Sequence, residues 1–293
     1  MTDQTILLPD ERTLGYAFYG PRSGKPVLYF HGTPSSRLEP QLLNIWGTPL
    51  DDLLQQYNIR LIAVDRPGMG LSSFHADKNF ASFAHDVNVL LQQLSIQKCS
   101  ILCWSGGGPY ALAMAHLYPQ SITTVCMIAA IAGSFGDKEV YEQMGWNKMY
   151  FNSARYTPML LQGTLEAVKC TTLHSPPSQS LLDLASVDYA LLQDVDSANG
   201  LLQYTIKEAT REGNEGPVQE AQLYFTPYPF ALHDIHVPVH FWWGSNDNVV
   251  TYIHAKYLER QLPNVTPHYK GGEGHLSIYI RCFEEALQVL ANA

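Results

Sequence analysis

The stretch Ile101-Leu-Cys-Trp-Ser-Gly-Gly-Gly-Pro-Tyr-Ala-Leu-Ala-Met-Ala115 decides the fold of this chain. Its first part closes an apolar run, Cys99 to Trp104, of the kind that forms a buried strand. Its last part, rich in Ala, Leu and Met, favours a helix near Pro109, because proline fits the first helical turn. Ser105 and three glycines lie between the two, where a tight bend needs small residues. We predict that Ser105 projects from the sheet beside the N–H groups that open the helix.

A serine at such a bend is a candidate nucleophile, and the pattern small-x-Ser-x-Gly is known as the nucleophile elbow. Cys103 stands where that pattern usually has glycine, so the motif taken alone is weak. The structural alternative is a glycine-rich loop that packs a helix against a strand. Residues elsewhere in the chain must decide between the two interpretations.

Composition excludes several classes of function. The chain has 293 residues, 46% of them hydrophobic, which is enough for a sizeable core. Its formal charge of −9 and its lack of a Lys/Arg cluster argue against nucleic acid and anionic membranes as partners. No secretory leader pattern opens the chain, and no apolar run reaches the length of a membrane span. We therefore expect a protein of the cytoplasm that acts on a small molecule, whereas the sequence does not indicate its oligomeric state.

The cysteines agree with a reducing compartment. They are odd in number, scattered and mostly placed inside apolar runs: Cys99, Cys103, Cys126, Cys170 and Cys282. This pattern predicts mostly buried free thiols instead of a disulfide framework.

Predicted strands and helices alternate along both ends of the chain but not in its middle. The predicted strands cover residues 4–8, 14–19, 26–30, 59–64, 99–104, 121–128, 237–243 and 267–269. The middle shows only helical patterns, at residues 138–150, 164–170, 179–193, 200–211 and 217–224. An all-helical block inside a β/α alternation is typical of an inserted cap. We therefore predict an α/β core made of residues 1–133 and 233–293, with a helical cap over 134–232.

Two late loops supply the partners that a serine nucleophile needs. Asp247 follows the strand that ends at Trp243, and His275 lies in a glycine-rich loop after the last predicted strand. Serine needs an adjacent imidazole to take its proton, and a carboxylate fixes the tautomer of that imidazole. The order Ser105, Asp247, His275 matches the nucleophile, acid and base order of one known fold.

On these motifs the chain resembles the serine hydrolases of the α/β-hydrolase fold over nearly its whole length outside the cap. The segments that carry the resemblance are His31-Gly32-Thr33-Pro34, Asp65 to Gly70, Trp104 to Pro109, Gly244 to Asp247 and Gly274-His275. The resemblance implies a mostly parallel sheet with helices on both faces and no cofactor. It also implies an oxyanion hole made by the backbone N–H groups of Thr33 and Gly106.

The activity predicted first is hydrolysis of a small to medium, neutral, moderately apolar carboxylic ester. A proline iminopeptidase-like aminopeptidase, a cofactor-free perhydrolase and a hydroxynitrile lyase would use the same triad and stay open, as does a ligand receptor without turnover. Serine at the elbow disfavours haloalkane dehalogenase and epoxide hydrolase relatives, which the resemblance says need aspartate there. Some relatives take the triad acid from the position of Asp137, which is the alternative to Asp247.

Other candidate residues carry weaker predictions. Trp104, Trp146 and Tyr150 are candidate pocket residues, with packing of the cap against the core as the alternative. Asp65 and Arg66 are better explained as a loop-fixing ion pair or cap than as catalytic groups. Three histidines suggest a metal site, but Pro238 and the strand pattern around them point to ordinary sheet-edge residues, so no metal is predicted. They are His233, His236 and His240.

Overall fold

An eight-stranded sheet in the order β1-β2-β4-β3-β5-β6-β7-β8 forms the centre of the protein. The computed structural model describes residues 2–145, 147–178 and 184–293. Strands β3 to β8 run parallel, whereas β2 is antiparallel to both β1 and β4. The strands are β1 Thr2–Leu7, β2 Thr13–Tyr19, β3 Lys25–Phe30, β4 Ile59–Val64, β5 Cys99–Trp104, β6 Ile122–Ile128, β7 Val239–Gly244 and β8 Val265–Lys270. The predicted mostly parallel sheet is confirmed.

Helices cover both faces of this sheet, as predicted. They are α1 Leu43–Trp46, α2 Leu50–Gln56, α3 Phe80–Gln93, α4 Gly108–Leu117, α5 Lys138–Glu142, α6 Lys148–Tyr156, α7 Pro158–Cys170, α8 Ser186–Leu191, α9 Val195–Leu202, α10 Glu215–Leu223, α11 Tyr252–Gln261 and α12 His275–Asn292. None of the described helices combines the length and the apolar character needed to cross a bilayer.

The alternation of side chains along the strands divides the core in two. Leu28 and Phe30 of β3 pack in the cluster that contains α3 and α4, whereas Val27 and Tyr29 pack with α2 and α12. All four side chains are fully buried. Burial on both faces is what gives parallel strands continuous apolar sequences instead of alternating ones.

The sheet topology reverses beside β3. From β3 the chain crosses to β4 on one side, and it later enters β5 on the other. Loops that leave β3 and β5 therefore diverge and leave a crevice at the carboxyl edge, which is where open α/β sheets bind ligands. The loop that holds Thr33 follows β3, and Ser105 follows β5.

Between β6 and β7 the described residues form helices and turns and no strand. We call residues 134–232 the helical segment. The single helix predicted over 138–150 is wrong: α5 and α6 are separate, with Gly145 in the break. A Cβ on Gly145 would overlap the carbonyl oxygen of Asn248, so the backbone passes another loop too closely for a regular helix. The prediction for 179–193 lies partly outside the described residues, which resume at 184.

Candidate active site

Ser105 occupies a sharp bend between β5 and α4. Its φ of 50° lies in the left-handed region that a residue with a side chain rarely adopts. The bend is held by a hydrogen bond from the Ile131 N–H to the Ser105 carbonyl oxygen, at 2.8 Å. A Cβ on Gly107 would overlap the carbonyl oxygen of Phe30, and one on Gly108 would overlap that of Ile131. The glycines are therefore required by close backbone approach, and Ser105 is left partly exposed above the sheet.

In the structure the side chains of Ser105, His275 and Asp247 form a continuous chain of hydrogen bonds. The Nε2 atom of His275 lies 3.0 Å from the Ser105 Oγ, and its Nδ1 atom lies 3.0 Å from an oxygen of Asp247. The other Asp247 oxygen accepts the N–H groups of Val249 and Val250, at 2.9 and 2.8 Å. These bonds fix the carboxylate, so it can hold the imidazole in one orientation.

His275 is the first residue of α12, not part of a loop as the sequence suggested. Burial acts to lower the pKa of its imidazole, but Asp247, Asp188 and Glu39 outweigh burial and hold that pKa above its ordinary value. A serine nucleophile needs the neutral form of this ring, so reactivity should rise as the pH passes through the raised pKa.

Of the three candidate pocket residues, Trp104 lies directly beneath the imidazole. Its ring stacks on His275 with centroids 5.1 Å apart, and its indole N–H donates to the His275 carbonyl at 3.3 Å. Tyr150 is half-buried in α6, with its hydroxyl 3.4 Å from the Pro217 carbonyl. Trp146 lies outside the described residues. The structure therefore places the Trp104 ring against the His275 imidazole, whereas its role as a pocket residue stays a prediction.

The loop after β3 is held from below by a carboxylate that the sequence did not suggest. Glu39 is fully buried and accepts the Gly32 N–H on both oxygens, each at 2.9 Å. Burial raises its pKa to about 7, against the hydrogen bonds that favour the charged form. The loop thereby lies against the elbow: a Cβ on Gly106 would overlap the Thr33 hydroxyl. The two predicted oxyanion-hole residues, Thr33 and Gly106, are thus adjacent.

A buried arginine holds the same loop from the side. Arg66 donates to the carbonyl oxygens of His31 and Gly32, at 2.5 and 2.6 Å, and to the Thr33 hydroxyl at 2.9 Å. It also forms an ion pair with Glu220 of α10, and both side chains are fully buried. This geometry agrees with a loop-fixing role for Arg66, with its partner in the helical segment.

Glu220 and Tyr224, both from the helical segment, also form hydrogen bonds with residues near Ser105. Glu220 accepts hydrogen bonds from Tyr110 and Thr33, each at 2.8 Å, and the Tyr224 hydroxyl donates to the Gly106 carbonyl at 2.5 Å. Burial works to raise the pKa of Glu220, but Arg66 and Lys78 outweigh it, so the pKa lies below its ordinary value. No sequence signal pairs Glu220 with Arg66, because 154 residues separate them.

Two further hypotheses from the sequence concern Asp137 as the triad acid and His233, His236 and His240 as metal ligands. Asp137 is exposed and caps α5, where its carboxylate accepts the Glu139 N–H at 2.8 Å. His240 instead pairs with His268, with ring nitrogens 3.1 Å apart. Within residues 2–145, 147–178 and 184–293, no three His, Cys, Asp or Glu side chains cluster as metal ligands would.

Four of the five cysteines are buried and Cys170 is exposed, all as free thiols.

A family model described as the alpha/beta hydrolase fold matches residues 25–281. The chain belongs to the α/β-hydrolase fold family. The match covers the elbow, the Asp247 loop and the start of α12, which are the elements that bring Ser105, Asp247 and His275 together.

Individual relatives of this α/β-hydrolase are distant. A serine hydrolase-like protein of Danio rerio is 32% identical over 118 residues, which cover 38% of this chain and 32% of that protein. The alignment thus spans about a third of the zebrafish protein. An uncharacterized hydrolase of Saccharomyces cerevisiae is 22% identical over 96% of this chain and 94% of its own length. The solved structure of an esterase from Rhodococcus sp. superposes with a TM-score of 0.68 at 18% identity, covering 100% of this chain and 99% of its own.

Proposed function

We propose that this protein is a serine hydrolase that cleaves carboxylic esters through an acyl-enzyme on Ser105. The observation that carries the proposal is the pair of 3.0 Å contacts that joins Ser105, His275 and Asp247 at the carboxyl edge of the sheet. His275 is the proposed general base and Asp247 the acid that orients it.

The proposed reaction has two halves. The Ser105 Oγ attacks the ester carbonyl carbon while His275 Nε2 takes the hydroxyl proton, and the imidazolium then protonates the departing alcohol. A water molecule next attacks the acyl-enzyme with His275 again acting as base, which releases the carboxylic acid and restores the Ser105 hydroxyl. Asp247 accepts a hydrogen bond from the Nδ1–H group of His275 throughout and stays ionised.

The oxyanion of each tetrahedral intermediate needs N–H donors that are already in place. We assign these to the backbone of Thr33 and Gly106, which the contacts of Arg66, Glu39 and Tyr224 hold side by side. A donor fixed in this way strengthens transition-state binding without reorganising, and each is worth roughly 3–4 kcal/mol in comparable sites.

We infer that the helical segment acts as a cap over this crevice. Residues from it contact the loops after β3 and β5 and the start of α12: Glu220, Tyr224 and Asp188. Its carboxylate nearest to Thr33, Glu220, is already paired with Arg66, so it is not free to bind a substrate amine. This arrangement favours a neutral ester over a peptide with a free N-terminus.

The substrate class is tested with p-nitrophenyl esters of increasing acyl length beside aminoacyl-naphthylamides. We expect kcat/KM to be largest for short to medium acyl groups and to change only a few-fold per carbon, because a buried methylene is worth about 0.8 kcal/mol. Tyr150→Ala should alter that length profile, whereas Tyr156→Ala, an exposed tyrosine of the same helix, should not. A maximum at long acyl chains, or faster cleavage of the naphthylamides, would contradict the proposal.

The assignment of the triad acid predicts unequal effects for two aspartates. Asp247→Asn should lower kcat by about 10³- to 10⁴-fold, because an amide favours the wrong imidazole tautomer. Asp137→Asn removes only the charge of an exposed helix cap, so its activity should stay within a few-fold. Both variants are compared by steady-state kinetics after their thermal unfolding is checked. A larger loss in Asp137→Asn would show that the acid has been assigned to the wrong residue.

A further inference from the structure

Helix α12 begins at the catalytic histidine, but its own N-cap residue cannot cap it. Gly274 has no side chain to accept the N–H groups that every helix start leaves without a partner. Asp188, in the first turn of α8, supplies the missing acceptor from 87 residues away. It accepts the N–H groups of His275 at 2.6 Å, Leu276 at 3.1 Å and Ser277 at 2.8 Å.

The fit between the two elements is close. A Cβ on Gly274 would overlap the Asp188 carboxylate, so the glycine leaves the room that the carboxylate fills. Asp188 is fully buried, and no lysine or arginine within the described part of the chain pairs with it. Its charge is met by the positive end of α12 instead of by a cation. Placing an unpaired carboxylate here is costly unless those N–H groups receive it.

We propose that Asp188 is a positioning residue for the general base: it fixes the helix start that carries His275 and places a second negative charge beside the imidazole. This inference rests on the proposed hydrolase function. Asp247 orients the ring through Nδ1, whereas Asp188 acts through the backbone of the same residue. Because Asp188 belongs to the helical segment, docking of that segment and the geometry of the base are coupled.

The effect on the imidazole has a defined sign. The groups that face His275 are Asp247 after β7, Asp188 in α8, Glu39 after β3 and the Ser105 hydroxyl. Removing the charge of Asp188 leaves the positive end of α12 uncompensated beside the ring, which disfavours the imidazolium. The pKa of His275 should therefore fall, and the acidic limb of the activity profile should move to lower pH. Asp247 and Glu39 are unchanged by that substitution.

The experiment measures the rate at which a fluorophosphonate labels Ser105 as a function of pH. In Asp188→Asn and in Asp188→Ser, we expect the acidic limb to move down by roughly a quarter to three quarters of a pH unit. The maximal labelling rate should fall about 10-fold because the base is less well placed. Asp194→Asn is the matched control, since Asp194 caps α9 through the Ser197 N–H at 2.8 Å.

Three outcomes are separable. Loss of stability in the Asp188 variants with an unmoved limb would reduce Asp188 to a structural cap and overturn the inference. An equal shift in Asp194→Asn would also overturn it, because the effect would then not be local to His275. Failure of the wild-type protein to react with the probe would count against the proposed function itself, since Asp188 is not involved in that result.

Discussion

Replacing Ser105 with alanine should reduce ester hydrolysis by roughly 10⁴-fold or more and leave the fold intact. The loss is this large because the hydroxyl is the proposed nucleophile and His275 has no other group to deprotonate in that position. The backbone should not change, since alanine at φ 50° carries the same strain as serine does. The measurement is kcat/KM on a p-nitrophenyl ester, together with thermal unfolding of both proteins.

Ser100→Ala is the matched control for this experiment. Ser100 lies in the same strand, β5, and its hydroxyl is 2.7 Å from that of Thr123 on the neighbouring strand. Its removal should cost some stability and little activity. A folded Ser105→Ala protein with near-normal ester hydrolysis would mean that Ser105 is not the nucleophile, and labelling of that variant by a phosphonate would reveal a different reactive group.

The core of this fold could be predicted because its signals are local. The apolar run at Cys99 to Trp104, the three glycines and Pro109 determine a strand, a bend and a helix within 15 residues of one another. One further rule predicts that Ser105, Asp247 and His275 lie close together in space: parallel strands present their carboxyl ends at one edge of the sheet. Ser105, Asp247 and His275 meet because the loops that follow β5, β7 and β8 lie at that edge. The β/α alternation predicts the parallel strands, whereas it does not specify their order in the sheet.

The residues that support the site could not be predicted in the same way. Asp188 acts on a helix start 87 residues away and Glu220 on a loop 187 residues away, whereas Glu39 acts on Gly32, seven residues before it. The sequence neighbours of these three residues do not distinguish them from surface carboxylates. Each becomes recognisable only when burial is known, because a buried carboxylate must find N–H groups or a cation. The break between α5 and α6 has the same origin, since Gly145 approaches a loop about a hundred residues away.

We expect the largest loss of stability when the buried ion pair between Arg66 and Glu220 is broken. Glu220→Ala should lower the free energy of unfolding by about 3–5 kcal/mol, because Arg66 would remain buried without its counter-charge. Glu139→Gln is the matched control. Glu139 also joins the helical segment to an arginine outside it, Arg260 of α11, but both side chains of that pair are more than half exposed. That variant should change stability by about 0–1 kcal/mol in urea unfolding.

A double variant separates stability from catalysis at this pair. Arg66→Met with Glu220→Leu replaces two buried charges by apolar side chains of similar size, and it should recover most of the stability that Glu220→Ala loses. Ester hydrolysis by the double variant should nevertheless be well below that of the wild-type protein. No guanidinium then holds the carbonyl oxygens of His31 and Gly32, so the Thr33 N–H loses its fixed position. A Glu220→Ala protein as stable as Glu139→Gln would show that the pair contributes little. A fully active double variant would show that the loop after β3 does not depend on Arg66.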